Sequence, residues 1–115
     1  MNLNDKALHK IIVGRLPFTA ASMSAQYDTP SPYGGGTGVL GEPDVTNFRN
    51  DSEACFQNGW GIYVIRSYAT PIAWAYQDSE GHVFWRQVNN KFSKTTSRHQ
   101  GIIREALTTE WSAAA

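Results

Sequence analysis

The residues of this 115-residue chain with the most chemical potential lie close together: Ser93, Lys94, Thr95, Thr96, Ser97, Arg98 and His99. At a helix start, free backbone N–H groups, the positive dipole end, hydroxyls and cations would together hold a phosphate or a carboxylate. The same run also reads as a plain helix cap with nothing bound, because every helix must satisfy its first donors. A second group is Trp74, Tyr76, Trp85, Arg86, Lys91, Phe92, Lys94 and Arg98. Rings on a sheet with cations beside them suit single-stranded nucleic acid, by stacking and phosphate contact, or a protein partner. The competing reading is that the rings simply form the core of a small domain. The stretch Gly36-Thr37-Gly38-Val39-Leu40-Gly41 satisfies G-x-G-x-x-G. It lacks the preceding strand and following helix that a dinucleotide fingerprint needs, so it reads as flexible loop. His9, His82 and His99 are scattered and Cys55 has no recognisable nucleophile context. No catalytic residue is assigned, no Cys or His pair has metal-ligand spacing, and no cofactor is expected. The balance leans away from an enzyme.

Ten Lys plus Arg against ten Asp plus Glu give zero net charge, which argues against wholesale binding to nucleic acid or membrane. The neutral total hides an acidic middle over residues 28–53 and an acid-free basic stretch, Arg86, Lys91, Lys94, Arg98 and Arg104. Four Trp, five Tyr and five Phe suffice for one compact domain without disulfides, and a single cysteine allows no internal one. The longest apolar run is Ile11-Ile12-Val13 and the first residues have no leader pattern, so the sequence reads as cytoplasmic, with no membrane partner.

These residues must be positioned by an α+β fold. Apolar positions Leu3, Ala7, Leu8, Ile11 and Ile12 predict a short N-terminal helix ending near Gly14, with a strand over 10–15 as its rival. Residues 16–25 show no clear period and read as irregular. Gly and Pro density over 28–44 predicts a long loop or insertion, and 45–56 has room for one or two helical turns, so 28–58 reads as a loop or insertion. Three β-branched and aromatic runs, 61–68, 72–77 and 82–88, predict an antiparallel meander, with Pro71 marking a bulge, a strand start or an edge. Ile72, Trp74 and Tyr76 should share one face. Ser97 and Gln100 form an S-x-x-Q capping box for a C-terminal helix over about 98–110. Its stripe Ile102, Ile103, Ala106 and Leu107 should bury against Ile62, Val64 or Ile65, Trp74 and Phe84 or Trp85. Residues 1–111 thus read as one domain and 112–115 as an appended tail.

Two stretches, Tyr63-Val64-Ile65-Arg66-Ser67-Tyr68-Ala69-Thr70-Pro71-Ile72-Ala73-Trp74 and Lys91-Phe92-Ser93-Lys94-Thr95-Thr96-Ser97-Arg98-His99-Gln100, carry a resemblance. They resemble a family of small uncharacterised proteins of tailed phages and prophages with Y-x-V-x-S-Y-x-T-P-I-A and Y-S-x-T-T-S-x-H motifs, Phe92 replacing the usual tyrosine. The resemblance spans about 62–107 and implies a phage context, with host-cell cytoplasm as the location, but no activity. Ser67, Tyr68 and Thr70 on one side and Ser93, Thr95, Thr96 and Ser97 on the other would form either a buried hydroxyl network or a shallow polar site. The expected function is a non-catalytic accessory protein that binds a host or phage protein. The alternative is a nucleic-acid-binding module using the basic and aromatic residues. A protein acting on a phosphorylated small molecule comes third.

Overall fold

A computed structural model describes residues 5–28 and 36–114, with side chains through residue 108. Helix α1 (Asp5–Val13) precedes a hairpin of β1 (Phe18–Ala20) and β2 (Met23–Asp28); α2 (Asp44–Asn58) leads into β3 (Ile62–Ser67), β4 (Thr70–Gln77) and β5 (Val83–Gln87), and α3 (Lys94–Ala114) closes the chain. The strands form one five-stranded sheet in the order β1-β2-β3-β4-β5, each neighbour pair antiparallel. The fold is α+β, with the meander packed on the C-terminal helix as the sequence predicts. Among the described residues no helix is long and apolar enough to cross a membrane.

Period-two alternation sorts the sheet into two faces. On one, Tyr63, Ile65 and Ala73 pack with Leu8 and Ile12 of α1 and with Ile102, Ile103, Ala106 and Leu107 of α3. On the other, Ile62, Val64 and Trp74 pack with Phe48 and Cys55 of α2. The expected burial of the α3 stripe is therefore correct for Ile65 and for Trp85, which packs at the margin of that cluster. Of the two pairs of alternatives the structure thus takes Ile65 over Val64 and Trp85 over the exposed Phe84; the expectation is wrong for Ile62 and Trp74, which face the opposite helix. Both clusters share the central strands, so the described residues make one domain. Each fully buried isoleucine here contributes roughly 1.5–3 kcal/mol relative to exposure.

Pro71 stands at a bulge. The β3–β4 register passes from Ile65↔Ala73 to Arg66↔Pro71, leaving Ile72 as the extra residue. A bulge turns consecutive side chains to similar directions. Ile72 therefore joins Ala73 in the α1–α3 cluster rather than sharing a face with Trp74 and Tyr76.

Three further differences from the sequence reading have physical reasons. The segment over 16–25, expected to be irregular, is largely the β1–β2 hairpin, in which Phe18, Met23 and Ala25 are buried; its turn uses Ala21 at φ 53° in place of the usual Gly or Asn. The 28–58 loop or insertion is half helix. The inward positions of α2 are Phe48, Asp51, Ser52 and Cys55, a helical spacing in which two polar residues disguise the apolar period. Residues 29–35 of the same stretch lie outside the described residues, as do Leu3 and the side chain of Trp111. Finally, α3 starts four residues before Arg98 and its backbone runs through most of the expected tail, so Ser97 lies inside the helix, exposed, and caps nothing.

Candidate functional site

The two motif-bearing stretches converge at the junction of the β3–β4 turn and the start of α3. Ser93 is the helix cap: its Oγ accepts from the Thr96 N–H at 3.2 Å, and its carbonyl accepts from the Ser97 N–H at 2.9 Å. The Ser93 hydroxyl also donates to Thr96 Oγ1 at 3.2 Å. Thr96 Oγ1 lies 2.9 Å from Ser67 Oγ, and Ser67 Oγ lies 2.8 Å from His99 Nδ1. Ser67, Thr96 and His99 are all buried. Donor counting orients the chain: with Ser93 donating to Thr96, the Thr96 proton goes to Ser67 and the Ser67 proton to His99, leaving the ring proton on Nε2. Burial pushes the pKa of His99 below its ordinary 6.5, and the charge of Arg98 adds to the effect, so the ring is the neutral acceptor this relay needs.

Above the relay opens a cleft of about 490 Å³. Val39, Tyr68 and Phe92 give it apolar walls, and Ser67, Ser93 and Thr96 contribute hydroxyls. Among the described residues no Lys, Arg, His, Asp or Glu lines it. The turn that forms one wall is tied down on two sides: Tyr68 N–H donates to Ser22 O at 2.6 Å, and Val39 N–H donates to Thr70 Oγ1 at 3.0 Å. Gly38 makes that docking possible. Its φ is +53°, and a Cβ there would sit 2.4 Å from Thr70 Oγ1. The glycine motif over 36–41 thus brings a loop onto the β3–β4 turn, and α2 begins only at Asp44, so no helix opens at the last glycine as a phosphate fingerprint needs. Tyr68 itself is a non-glycine residue at φ 55° whose side chain is 64% exposed. A bulky residue in that backbone region is held there by its surroundings, at a cost of order 1–3 kcal/mol.

The candidate anion residues therefore divide. Ser93, Thr95 and Thr96 line the cleft, and His99 lies behind it through Ser67. Lys94, Ser97 and Arg98 point to solvent outside the lining, Arg98 with Asp5 at 3.7 Å as its acidic neighbour. Gln100, expected in a capping box, instead donates through Nε2 to Val88 O at 2.7 Å and Asn90 O at 3.1 Å, fastening α3 to the end of β5.

The proposed nucleic-acid or partner surface does not form one platform. Trp74 is only 1% exposed, and its Nε1 donates to Asp51 Oδ2 at 2.8 Å. Arg86 Nε donates to the same oxygen at 2.6 Å, and this hydrogen bond, against desolvation, raises the pKa of the guanidinium. Trp85 lies on the other face, edge-on to Tyr63 with ring centroids 6.1 Å apart, and Lys91 is exposed. Alternation along β5 forbids Trp85 and Arg86 from sharing a face. Asp51 escaped sequence reasoning because a lone acid in a polar stretch gives no sign of its partners 23 and 35 residues away. Gly38 and Val39 likewise carry no sign of the cleft in the sequence, since only the folded loop brings them to Thr70, which the hydroxyl seam already includes.

Elsewhere, Asp78, Glu80 and His82 bring ligand atoms within 4.8 Å of one another in the β4–β5 turn. Asp78 Oδ1 is already engaged by the N–H groups of Glu80 and His82, at 3.0 and 2.9 Å, so the arrangement is explained by the turn.

Comparison with known proteins gives one relationship. The chain belongs to a family of unknown function (DUF8033), whose model matches residues 41–112. The match begins before α2 and includes β3, β4, β5 and most of α3, so α2 is part of the family's shared stretch and not an insertion peculiar to this chain. No curated protein and no solved structure matches it.

Proposed function

We propose that this member of the family is a non-catalytic binding protein whose cleft receives an apolar or aromatic side chain of a partner protein, of phage or host origin. The observation that carries the reading is Tyr68: a large side chain, 64% exposed, presented at the cleft by a turn in left-handed backbone that the fold fixes on both sides. Rigid aromatic residues beside a pocket are the usual anchors of protein contacts. The neutral lining suits an apolar side chain better than a phosphate, which disfavours a phosphorylated ligand. Ser67 and His99 do not constitute a hydrolytic pair. Ser67 is 1% exposed with its hydroxyl engaged by both Thr96 and His99, and among the described residues no carboxylate hydrogen-bonds His99.

The test is site-specific photocrosslinking from position 68 in the native cellular background, with untagged competitor. One protein adduct is expected, lost with Phe92→Ala and retained with Phe56→Ala, which alters an exposed ring on α2. An adduct unaffected by Phe92→Ala overturns the assignment of the cleft. Nucleic acid as the only adduct, weakening steeply with salt, would instead support the basic residues Lys91 and Lys94 as a phosphate-binding rim.

A further inference from the structure

The sheet has two outer strands, and they are unequal. At one side β1 is three residues long and follows Pro17; at the other, β5 is five residues long, in unbroken register with β4, without proline, lysine or bulge. Natural sheets generally protect an edge of this kind, because its free N–H and C=O groups template another strand. The ladder fixes which groups are free. Asp78 N–H donates to His82 O and Val88 N–H donates to Ile72 O, so the even-numbered residues of β5 face β4. The N–H and C=O groups of Val83, Trp85 and Gln87 point outward.

We propose that two copies of the chain associate through β5, antiparallel and in register about Trp85, continuing one sheet into the other. In that register Trp85 meets its own copy, Val83 meets Gln87, and every outward N–H finds an outward C=O. On the face shared with Trp74, Phe84 lies opposite Arg86 of the second copy. Arg86 is prepared for this contact. Asp51 holds its guanidinium through Nε and one terminal nitrogen, at 2.6 and 3.3 Å, leaving a fixed planar cation at the edge. Phe84 already extends a stack, 5.4 Å from Tyr76, which is itself 5.9 Å from Trp60, and a guanidinium across the axis caps that row. Neighbouring registers are worse. Centring on Arg86 opposes two guanidinium groups, and centring on Phe84 opposes Arg86 to His82. The strand is thus complementary to itself in one alignment, which is the requirement of an isologous two-fold interface and what singles out a second copy over an unrelated strand. So short an edge buries less than the roughly 1,200–2,000 Å² of stable complexes, so association should be concentration-dependent.

Sedimentation velocity of the full chain from micromolar to millimolar concentration should move from one chain mass toward two, and amide exchange at Val83, Trp85 and Gln87 should slow with it while Phe84 and Arg86 amides stay unchanged. Gln87→Pro removes only an outward N–H, and Phe84→Lys sets a cation against Arg86 of the other copy; each should weaken association at least about tenfold. A chain that stays monomeric at millimolar concentration overturns the proposal. So does a dimer that leaves the three outward amides unprotected or survives Phe84→Lys unchanged.

Discussion

Replacing Ser67 by alanine should destabilise the domain far more than removing the hydroxyl of Ser93 or of Ser97. The hydroxyl stands between two buried partners, Thr96 Oγ1 at 2.9 Å and His99 Nδ1 at 2.8 Å. Alanine leaves a donor on one side and an acceptor on the other, both on buried residues. Each orphaned group costs about 1–3 kcal/mol, and the relief of burying one fewer hydroxyl offsets part of it, giving a net loss of about 2–4 kcal/mol. Against a total stability of roughly 5–15 kcal/mol this is a large fraction, and at about 4 °C per kcal/mol it lowers Tm by about 8–16 °C. Ser93→Ala removes a cap at the cleft margin and should cost about 1 kcal/mol, whereas Ser97→Ala, on an exposed helical face, should stay within about 0.5 kcal/mol. Urea denaturation midpoints of the three variants at constant m-value measure the order directly. The double variant Ser67→Ala/His99→Leu should cost less than the sum of its parts, because it removes both ends of one bond. A Ser67→Ala loss below about 0.5 kcal/mol, or a Ser97→Ala loss exceeding that of Ser93→Ala, would refute the relay and its cap.

Other outcomes follow from groups behind the sheet. Arg86→Ala should destabilise by about 1–3 kcal/mol in chemical denaturation because it strands the Asp51 carboxylate with Trp74 Nε1 as its remaining strong donor, while Asp51→Asn, which removes the charge instead, should cost less; the reverse order would show that the ion pair does not govern this site. His99 binds a proton more weakly folded than unfolded, so stability is full above 6.5, falls as pH drops toward the folded pKa and levels off below it; His99→Gln should abolish that segment of the pH–stability curve, and a variant curve parallel to wild type would contradict it. Cys55 is fully buried, and burial, with Asp51 adding, pushes its thiol up to about 11, so iodoacetamide at mildly alkaline pH should label it only at the rate of global opening, with unfolding in urea restoring ordinary reactivity; fast native labelling would contradict the burial.

What the sequence reveals of this fold tracks how local the determining physics is. The strands β3 to β5 are legible because β-branched and aromatic runs bounded by turn residues state a strand without reference to anything distant. Helix α3 is legible from Ile102, Ile103, Ala106 and Leu107, yet its start is not. Two S-x-x-polar patterns, 93–96 and 97–100, follow one another there, and only packing decides that Ser93 caps while Thr96 turns inward to Ser67. The faces of the sheet are misassigned for a similarly specific reason: an extra residue at Ile72 shifts the alternation, and a bulge leaves no mark beyond a proline that admits several explanations.

The candidate site is legible to the extent that its hydroxyls cluster in two stretches; that they meet is a statement about three dimensions. Ser67 lies 29 residues from Thr96 and 32 from His99, and Asp51 lies 23 from Trp74 and 35 from Arg86. In each case a polar side chain occupies a position that periodicity reserves for an apolar one, and it is tolerated only because a distant residue satisfies it. The apolar pattern therefore weakens where the polar contacts are made, in α2 around Asp51 and Ser52 and in α3 around Thr96 and His99. Weak amphipathicity at these places is a consequence of the buried polar contacts themselves. A helix whose inward face reads Phe48, Asp51, Ser52, Cys55 is best searched for a strand carrying a complementary donor, and here β4 and β5 supply it through Trp74 and Arg86.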